Sequence, residues 1–220
     1  MELKTVLTFL GFFVAVAAVG TAVWGLIVLA NRKDRRAQEV WREFASQSGL
    51  DYEPKKDREK LAWVHGRLHR RSFDMHEERV NLKGGTESTE VVTRMFLKVE
   101  GMPNGLAVYE RPARLADSGA IESLLASVAE VMGKHMPPNL ETGDAAFDEK
   151  WVTRGFDADV TRTWISQGDR KEVLAELATE EGFKTHEDGL RWEGSTPRTI
   201  EAIQSVVGKL ERYAERLEQL

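Results

Sequence analysis

An unbroken apolar run over residues 6–30 constrains this chain more than any other feature, with Thr8 and Thr21 as its only polar side chains. A helix rises about 1.5 Å per residue, so the run reaches roughly 37 Å and exceeds a hydrocarbon core of about 30 Å. We therefore predict a transmembrane anchor over residues 1–31, including a short outer tail. No other stretch of the sequence is comparable, so we expect a single pass.

A cleaved secretory signal is the alternative interpretation of the same run. Residues 15–17 form a small-x-small site, and the apolar region of a signal peptide measures about 7–15 residues. The run continues past this site through Trp24 and Leu29 to Ala30, so cleavage would leave a very hydrophobic new terminus. The length therefore favours an uncleaved anchor.

Basic residues follow the run closely: Arg32, Lys33, Arg35 and Arg36 lie in one short segment, with only Asp34 against them. Lys and Arg near a span tend to stay in the cytoplasm. We therefore predict a single-pass protein of the cell inner membrane whose C-terminal domain is cytoplasmic. The same four cations are candidate contacts with the lipid bilayer, each worth about 1 kcal/mol beside anionic lipid. A topology signal without lipid binding is the simpler interpretation and is favoured.

Composition limits what the remaining domain binds. The net charge is −5, and Glu2 and Lys4 cancel in the anchor, so the rest of the chain carries all of it. Nucleic-acid binding draws its affinity from neutralising phosphates, so we predict no nucleic-acid partner. The chain has no cysteine, which excludes disulfides, thiolate metal sites and cysteine nucleophiles.

A helical apolar stripe occupies the juxtamembrane segment, residues 32–49. Its members are Ala37, Val40, Trp41, Phe44, Ala45 and Ser48. This spacing predicts an amphipathic helix that ends at Gly49. Its polar face is mixed rather than purely basic, which favours packing of Trp41 and Phe44 in a protein core over burial among lipid headgroups.

Residues 50–220 are predicted to form one α+β domain. Between residues 50 and 111 apolar and polar side chains alternate. The alternation predicts an antiparallel meander of four or five strands with one solvated face, a turn at residues 69–71 and a loop at residues 83–86. Further on, we predict a helix at residues 118–132, a strand at 151–154 and a helix at 158–165.

Two local signals organise the next region. Asp169 followed by Glu172 resembles a capping box and predicts the start of a helix. Asp188 and Gly189 predict a two-residue hairpin turn that pairs Thr185 with Trp192. One face of this hairpin is then apolar and the other polar, the first holding Phe183, Leu190 and Trp192 and the second Lys184, His186, Arg191 and Glu193.

The last helix is predicted to begin at Thr196, with Pro197 at its first helical position. Its main apolar residues recur three and four apart: Ile203, Val206, Leu210, Tyr213, Leu217 and Leu220. Val207 and Ala214 widen this stripe, which favours packing on the protein's own sheet. A homodimer formed through this helix is the alternative, besides binding of another protein partner.

No catalytic, cofactor-binding or metal-binding residue is predicted. His65 and His69 are four positions apart and His76 is near, but they match no metal-ligand frame, and solvated histidines are the simpler explanation. Acidic residues cluster further on, namely Asp144, Asp148, Glu149, Asp157 and Asp159. Asp144 and Asp157 stand where turns and helix caps favour Asp, so we expect structural roles for this cluster.

A motif over residues 143–155 carries a family resemblance. It runs Gly143-Asp144-Ala145-Ala146-Phe147-Asp148-Glu149-Lys150-Trp151-Val152-Thr153-Arg154-Gly155. With the helix, hairpin and C-terminal helix that follow, residues 142–217 resemble bacterial membrane-anchored proteins of unknown function. Trp151 stands where those proteins usually have Phe, and Thr153 where they have an apolar or small residue. The resemblance implies the order of elements and no activity.

Together these features predict a membrane-tethered cytoplasmic binding or scaffold module without identifiable catalytic chemistry. Two alternatives stay open: a sensor that binds a small ligand or lipid in the sheet, and an enzyme that acts near the membrane. A deep pocket with converging polar groups favours the two alternatives. A flat apolar patch rimmed by charge favours the scaffold.

Overall fold

The computed structural model describes residues 35–55, 61–81, 89–111 and 137–219, together with Thr21 and Trp24. Thr21 and Trp24 are helical, but the rest of the predicted anchor lies outside the described residues, as do Arg32 and Lys33. The loop predicted at residues 83–86 and the helix predicted at residues 118–132 also lie outside them. Within the described part of the chain, no helix combines the length and apolarity needed to cross a membrane.

Helix α1 covers residues 35–48 of the described chain and carries the predicted apolar stripe. Trp41 and Phe44 are buried in the main core, where the Phe44 ring meets the Phe73 ring edge-on with centroids 6.2 Å apart. Gly49 follows the helix with a φ of 67°, a conformation that favours glycine. The helix therefore packs against the sheet, as its mixed polar face predicts.

Four strands follow as a meander in which each is antiparallel to the next. They are β1 (Asp51–Glu53), β2 (Trp63–Leu68), β3 (Arg71–Asn81) and β4 (Thr89–Lys98). Period-two alternation sends Val64, Phe73 and Met95 to a buried inner face. His69 and Arg70 form the turn between β2 and β3, with φ values of 45° and 75°. The predicted antiparallel meander is confirmed for these four strands, whereas the strand at Ala107–Glu110 belongs to a different sheet.

A C-terminal hairpin adds two strands to the edge of β4. Strand β8 spans Phe183–His186 and β9 spans Gly189–Gly194, and the six-stranded order is β1-β2-β3-β4-β9-β8. Strands β4 and β9 are antiparallel, and Leu97 stands opposite Leu190. This pairing joins segments that are far apart in the sequence and extends the buried inner face.

A second, three-stranded sheet has the order β5-β7-β6. Its strands are β5 (Ala107–Glu110), β6 (Asn139–Leu140) and β7 (Trp151–Arg154), and helices α2 (Ala145–Lys150) and α3 (Ala158–Ile165) precede and follow β7. The Val108 amide donates to the Thr185 hydroxyl oxygen at 3.3 Å, which joins this sheet to β8. The predicted strand at residues 151–154 and helix at residues 158–165 are confirmed.

Helices α4 (Arg170–Thr179) and α5 (Ile200–Glu218) complete the core. Six residues of the predicted stripe are buried in α5, namely Ile203, Val207, Leu210, Tyr213, Ala214 and Leu217. Val206 is half-buried against the same core, and Leu220 lies outside the described residues. They share one core with Val173 and Leu174 of α4 and with the inner face of the sheet. Burying a large apolar side chain contributes roughly 1.5–3 kcal/mol. The stripe therefore packs within the chain, as its width predicts.

One predicted helix start is wrong, and a second is confirmed in its position but not in its cap. Helix α5 begins at Ile200, because Thr199 accepts a hydrogen bond from the Ala202 amide at 3.2 Å and caps the helix there. Pro197 is buried in the segment before this cap rather than standing at the first helical position. Helix α4 does begin after Asp169, but the Asp169 side chain makes no capping hydrogen bond.

The register predicted for the hairpin is wrong by two residues, because the loop lies one residue earlier in the chain than predicted. Glu187 and Asp188 form the loop, so that Phe183 stands opposite Trp192. A Cβ atom on Gly189 would lie 2.4 Å from the Leu97 carbonyl oxygen, so this glycine permits close approach of β9 to β4. The predicted separation of an apolar and a polar face is nevertheless correct.

Candidate functional site

The large sheet has a buried inner face and a second face that the described helices leave open. Helices α1, α4 and α5 share one apolar core with the inner face. On the opposite side, alternation brings together polar and aromatic side chains from neighbouring strands. We call this surface the open face, and its residues are Trp63, His65, Asp74, His76, Arg94, Phe96, Lys184, His186, Arg191 and Glu193.

Strand register arranges most of the open face in two rows. The first row is Trp63, His76, Arg94 and Glu193, and the second is His65, Asp74, Phe96, Arg191 and Lys184. Directly opposite residues in antiparallel strands have Cβ atoms about 4.5–5.5 Å apart. Each side chain in a row therefore lies within reach of its neighbours, so the two rows form a continuous polar surface across the sheet.

Arg94 lies at the centre of an ion-pair network on this face. Its guanidinium contacts Glu78, and its Nε atom donates to Glu193 at 2.9 Å. The Lys184 Nζ atom also donates to Glu193, at 3.2 Å. Burial raises the pKa of Glu193, but Lys184 and Arg94 outweigh it and hold this pKa below its ordinary value. The charges of Arg94 and Lys184 are therefore compensated within the sheet.

Asp74 accepts two contacts, both from side chains of the neighbouring row. The indole Nε1 of Trp63 and the Nδ1 atom of His76 both contact its carboxylate. The Trp63 ring is 38 % exposed, and its centroid lies 4.1 Å from that of the His65 ring. The two rings form an aromatic edge beside the row that carries Asp74, Phe96 and Arg191.

Arg191 differs from the other cations of the open face. Its side chain is only 17 % exposed, and its one ion pair among the described residues is a contact with Glu193 at 3.9 Å. Its Nε atom is buried and has no hydrogen-bond partner in the described structure. Burial, together with repulsion from Arg94, lowers the pKa of Arg191. The protein therefore holds a guanidinium in a recess with its Nε donor unsatisfied.

A cavity of about 320 Å³ opens beside this guanidinium. We call it the open-face pocket, and its lining residues are Asp74, His76, Arg94, Phe96, His186, Glu187 and Arg191. The Phe96 and His186 rings meet edge-on with centroids 6.3 Å apart. Burial, assisted by Arg191, lowers the pKa of His186 and favours its neutral form. The pocket therefore combines an aromatic wall, a neutral imidazole and a donor with spare capacity.

A larger cavity of about 660 Å³ lies at the turn between β2 and β3. It is lined by several basic side chains, but Arg71 donates to Glu218 at 3.1 Å, and Lys98 pairs with Asp188 at 2.5 Å. Arg67 is exposed to solvent. Cations that are paired or solvated gain little from a ligand. We therefore place the candidate site in the smaller open-face pocket.

The predicted membrane-surface residues fall partly within the structure. Arg35 and Arg36 are exposed in the first described turn of α1, whereas Arg32 and Lys33 lie outside the described residues. Arg35 and Arg36 at the start of α1 are thus the described residues of the domain that follow the predicted anchor most closely in the sequence.

The three histidines singled out in the sequence are only partly brought together. His65 and His76 share the open face, whereas His69 lies in the β2–β3 turn and contacts Glu211 of α5. Across the described ranges, no group of three or more His, Asp or Glu side chains is arranged to hold a metal ion. Each histidine instead contacts a carboxylate: His65 contacts Glu53, His69 contacts Glu211 and His76 contacts Asp74.

The carboxylates around residues 144–159 serve backbone structure. Asp144 caps α2 by accepting from the Phe147 amide at 3.2 Å. Asp148 accepts from the Thr142 amide at 3.0 Å and hydroxyl at 2.9 Å. Asp157 caps α3 through the Asp159 and Val160 amides. The structural interpretation is confirmed for these three, while the Asp159 side chain is 94 % exposed and pairs with Arg162.

Sequence analysis found the polar face of the hairpin but not the pocket. Arg191 and His186 were assigned to one face, whereas Phe96 lies on a strand whose pairing with β9 has no local signal. The chain matches no known protein family, no curated protein and no solved structure. What the chain does is therefore inferred from its own side chains and their surroundings.

Proposed function

We propose that this chain is a membrane-tethered, non-catalytic binding module that takes a small polar ligand on the open face of its six-stranded sheet. The observation that carries the proposal is the open-face pocket, where side chains from neighbouring strands converge on one recess. A recess with converging polar groups is typical of a small-ligand site. A protein scaffold would instead be indicated by a flat apolar patch. Its volume of about 320 Å³ suits a small metabolite.

Pre-organisation of the pocket walls supports this function. Arg94 is held by Glu78 and Glu193, and Asp74 is held by Trp63 and His76. Side chains fixed before binding lose little rotamer freedom when a ligand arrives, which improves affinity. The walls stand on strands rather than on loops, and strands hold side chains more rigidly.

The tether is part of the proposal and rests on the apolar run over residues 6–30. Arg35 and Arg36 begin the described helix α1, so a span ending near residue 31 leads directly into the folded domain. The basic segment favours an inner-membrane protein with a cytoplasmic domain. The resemblance of residues 142–217 to bacterial membrane-anchored proteins supports the same proposal.

A thermal-shift screen of the full chain in phospholipid nanodiscs tests the binding function. The panel contains small anionic, cationic and neutral metabolites, and each is assayed against the wild type, Phe96→Ala and Val160→Ala. Phe96 lines the pocket, whereas Val160 is an exposed apolar residue of α3 and serves as the matched control.

We expect at least one compound to raise the melting temperature of the wild type and of Val160→Ala but not of Phe96→Ala. Ligand binding to the native state alone stabilises it by RT ln(1 + [L]/Kd), so the shift grows with ligand concentration. Shifts that are equal in both variants, or no shift from any compound, would overturn the small-ligand proposal and favour the scaffold.

A further inference from the structure

An unsatisfied guanidinium in a recess is the most informative feature that the function above leaves unexplained. The Arg191 side chain is 17 % exposed, and the nearest carboxylate, that of Glu193, stands at 3.9 Å. A buried donor without a partner destabilises the folded state, and more so when the group is charged. A bound anion would remove this cost, because guanidinium offers donors in a planar fork.

The neighbouring carboxylates do not satisfy Arg191 in the described structure. Glu193 is engaged by Arg94 and Lys184 at 2.9 and 3.2 Å, and Asp74 is contacted by Trp63 and His76. Glu187 lies at the rim with a side chain that is 68 % exposed, 3.6 Å from His186. Glu193 is shared with two other cations, so the buried Nε donor of Arg191 has no partner among the described residues.

We propose that the open-face pocket binds an oxyanion, a carboxylate or phosphate group of a small ligand, through the Arg191 guanidinium. This inference rests on the proposed function and names the chemical class of its ligand. A carboxylate or a phosphate presents two oxygens to the guanidinium fork and forms two parallel charge-assisted hydrogen bonds. Phe96, directly opposite Arg191 in the sheet, offers an apolar wall to the rest of the ligand.

Isothermal titration calorimetry on the full chain in zwitterionic nanodiscs tests the proposal with defined probes. Benzoate supplies a carboxylate, phenyl phosphate supplies a phosphate, and benzylamine is a cation of matched size. The proteins are the wild type, Arg191→Gln, Arg191→Lys and Arg67→Gln, together with Phe96→Ala and Val160→Ala. Arg67 is an exposed arginine that lines the larger basic cavity, so its variant is the matched control for charge loss.

We expect benzoate or phenyl phosphate to bind the wild type and Arg67→Gln with equal affinity. Arg191→Gln should weaken that affinity by about tenfold or more, since a hydrogen bond to a charged group contributes that much. Arg191→Lys should weaken it as well, because an ammonium lacks the planar fork. Binding of one probe alone identifies the oxyanion as carboxylate or phosphate.

Arg191→Gln should melt no lower than the wild type without a probe, because it removes an uncompensated charge. If both Arg191 variants fail to fold, the NMR chemical shift of the Arg191 Nε–H group in the wild type tests the proposal instead. It should change on addition of the binding anion and stay unchanged with benzylamine.

No binding of either anion, or anion binding that Arg191→Gln leaves undiminished, would overturn the oxyanion proposal, as would an unmoved Arg191 resonance. Benzylamine binding lost in Phe96→Ala but kept in Val160→Ala would overturn the oxyanion class and leave the small-ligand function intact. If neither the thermal-shift screen nor the calorimetry detects a ligand in the open-face pocket, both the oxyanion proposal and the small-ligand function are overturned.

Discussion

Arg170 at the start of α4 donates a hydrogen bond from Nε to the backbone carbonyl oxygen of Leu217, in the last turn of α5, at 2.8 Å. The same guanidinium donates to the Trp164 carbonyl oxygen at 3.0 Å and lies 4.3 Å from the centroid of the Trp164 ring. Arg170 is 4 % exposed, and burial lowers its pKa. One buried cation thus joins three helices through carbonyl oxygens.

Replacing Arg170 by alanine should lower the free energy of unfolding by about 2–4 kcal/mol, because it leaves buried carbonyl groups without donors and opens a cavity. Arg170→Lys should also destabilise, since one ammonium cannot reproduce the guanidinium geometry. Urea unfolding monitored by circular dichroism measures both. The exposed Arg67→Ala should cost about 0.5 kcal/mol or less. Equal losses at positions 170 and 67 would contradict the structural role of Arg170.

The two faces of the β8–β9 hairpin should differ in their sensitivity to substitution. Leu190 is fully buried on the inner face, so Leu190→Ala should lower the free energy of unfolding by about 2–5 kcal/mol. His186 lies on the open face, and His186→Ala should cost about 0.5 kcal/mol or less. Chemical denaturation of both variants checks this expectation, and a reversed order of costs would mean that the faces are exchanged.

Two glycines should respond to alanine in opposite directions. A Cβ on Gly189 would lie 2.4 Å from the Leu97 carbonyl oxygen and 2.7 Å from the Phe96 ring, so Gly189→Ala should separate β9 from β4. We expect a loss of about 2 kcal/mol or more. Gly208 lies inside α5 with open space around it, and Gly208→Ala should stabilise by about 0.5–1 kcal/mol. Thermal melts of the two variants measure both signs.

Acid should destabilise the contact between α4 and α5. Hydrogen bonds from Lys209 and Tyr213 hold the pKa of Glu180 below its ordinary value, and Tyr213 donates at 2.6 Å. A carboxylate whose pKa is lower in the folded state contributes stability that is full above its unfolded pKa and is lost as pH falls through the folded pKa. The sign is therefore a loss of stability towards low pH.

Urea midpoints measured between about pH 6 and about pH 3 test this dependence. The difference between the wild type and Glu180→Gln should shrink as the pH falls, because protonation of Glu180 removes the charge that the variant already lacks. Glu149→Gln, an exposed carboxylate of α2, is the control and should follow the wild type throughout. A pH-independent difference between the wild type and Glu180→Gln would contradict the assignment.

A membrane orientation with the domain in the cytoplasm should depend on the basic segment that includes Arg32, Lys33, Arg35 and Arg36. A C-terminal reporter that fluoresces only in the cytoplasm should be bright in the full chain. Replacing all four cations by glutamine should reduce that signal. Protease access to the reporter from outside the wild-type membrane would defeat the proposed orientation.

Local sequence patterns were sufficient to predict most of the described helices and strands. The stripe that contains Trp41 and Phe44 predicts a core helix, and α1 packs there because helical periodicity places those side chains on one side. Alternation from residue 50 onward predicts the β1–β4 meander, since strands joined by short turns pair with their chain neighbours. Asp157 predicts the start of α3, because a cap depends only on nearby amides.

Two other local signals predicted positions that the folded chain does not use. Asp188 and Gly189 are a strong turn pattern, yet Gly189 lies in β9 because the Leu97 carbonyl oxygen approaches it too closely for a side chain. Thr196 and Pro197 resemble a helix start, yet Thr199 caps α5 and Pro197 is buried. Pairing with a distant strand thus outweighs the turn preference at Gly189, whereas a different local cap, Thr199, sets the start of α5.

By itself, the sequence determined the apolar run, the acidic charge balance, the α+β class and the two faces of the hairpin, because each depends on composition or on short-range periodicity. Only the tertiary structure decided that β9 pairs with β4 and thereby sets Arg191 opposite Phe96, beside His186. Strand pairing over such a distance in the chain depends on the summed burial of the whole inner face. No local pattern encodes it, so the candidate pocket exists only in the folded sheet.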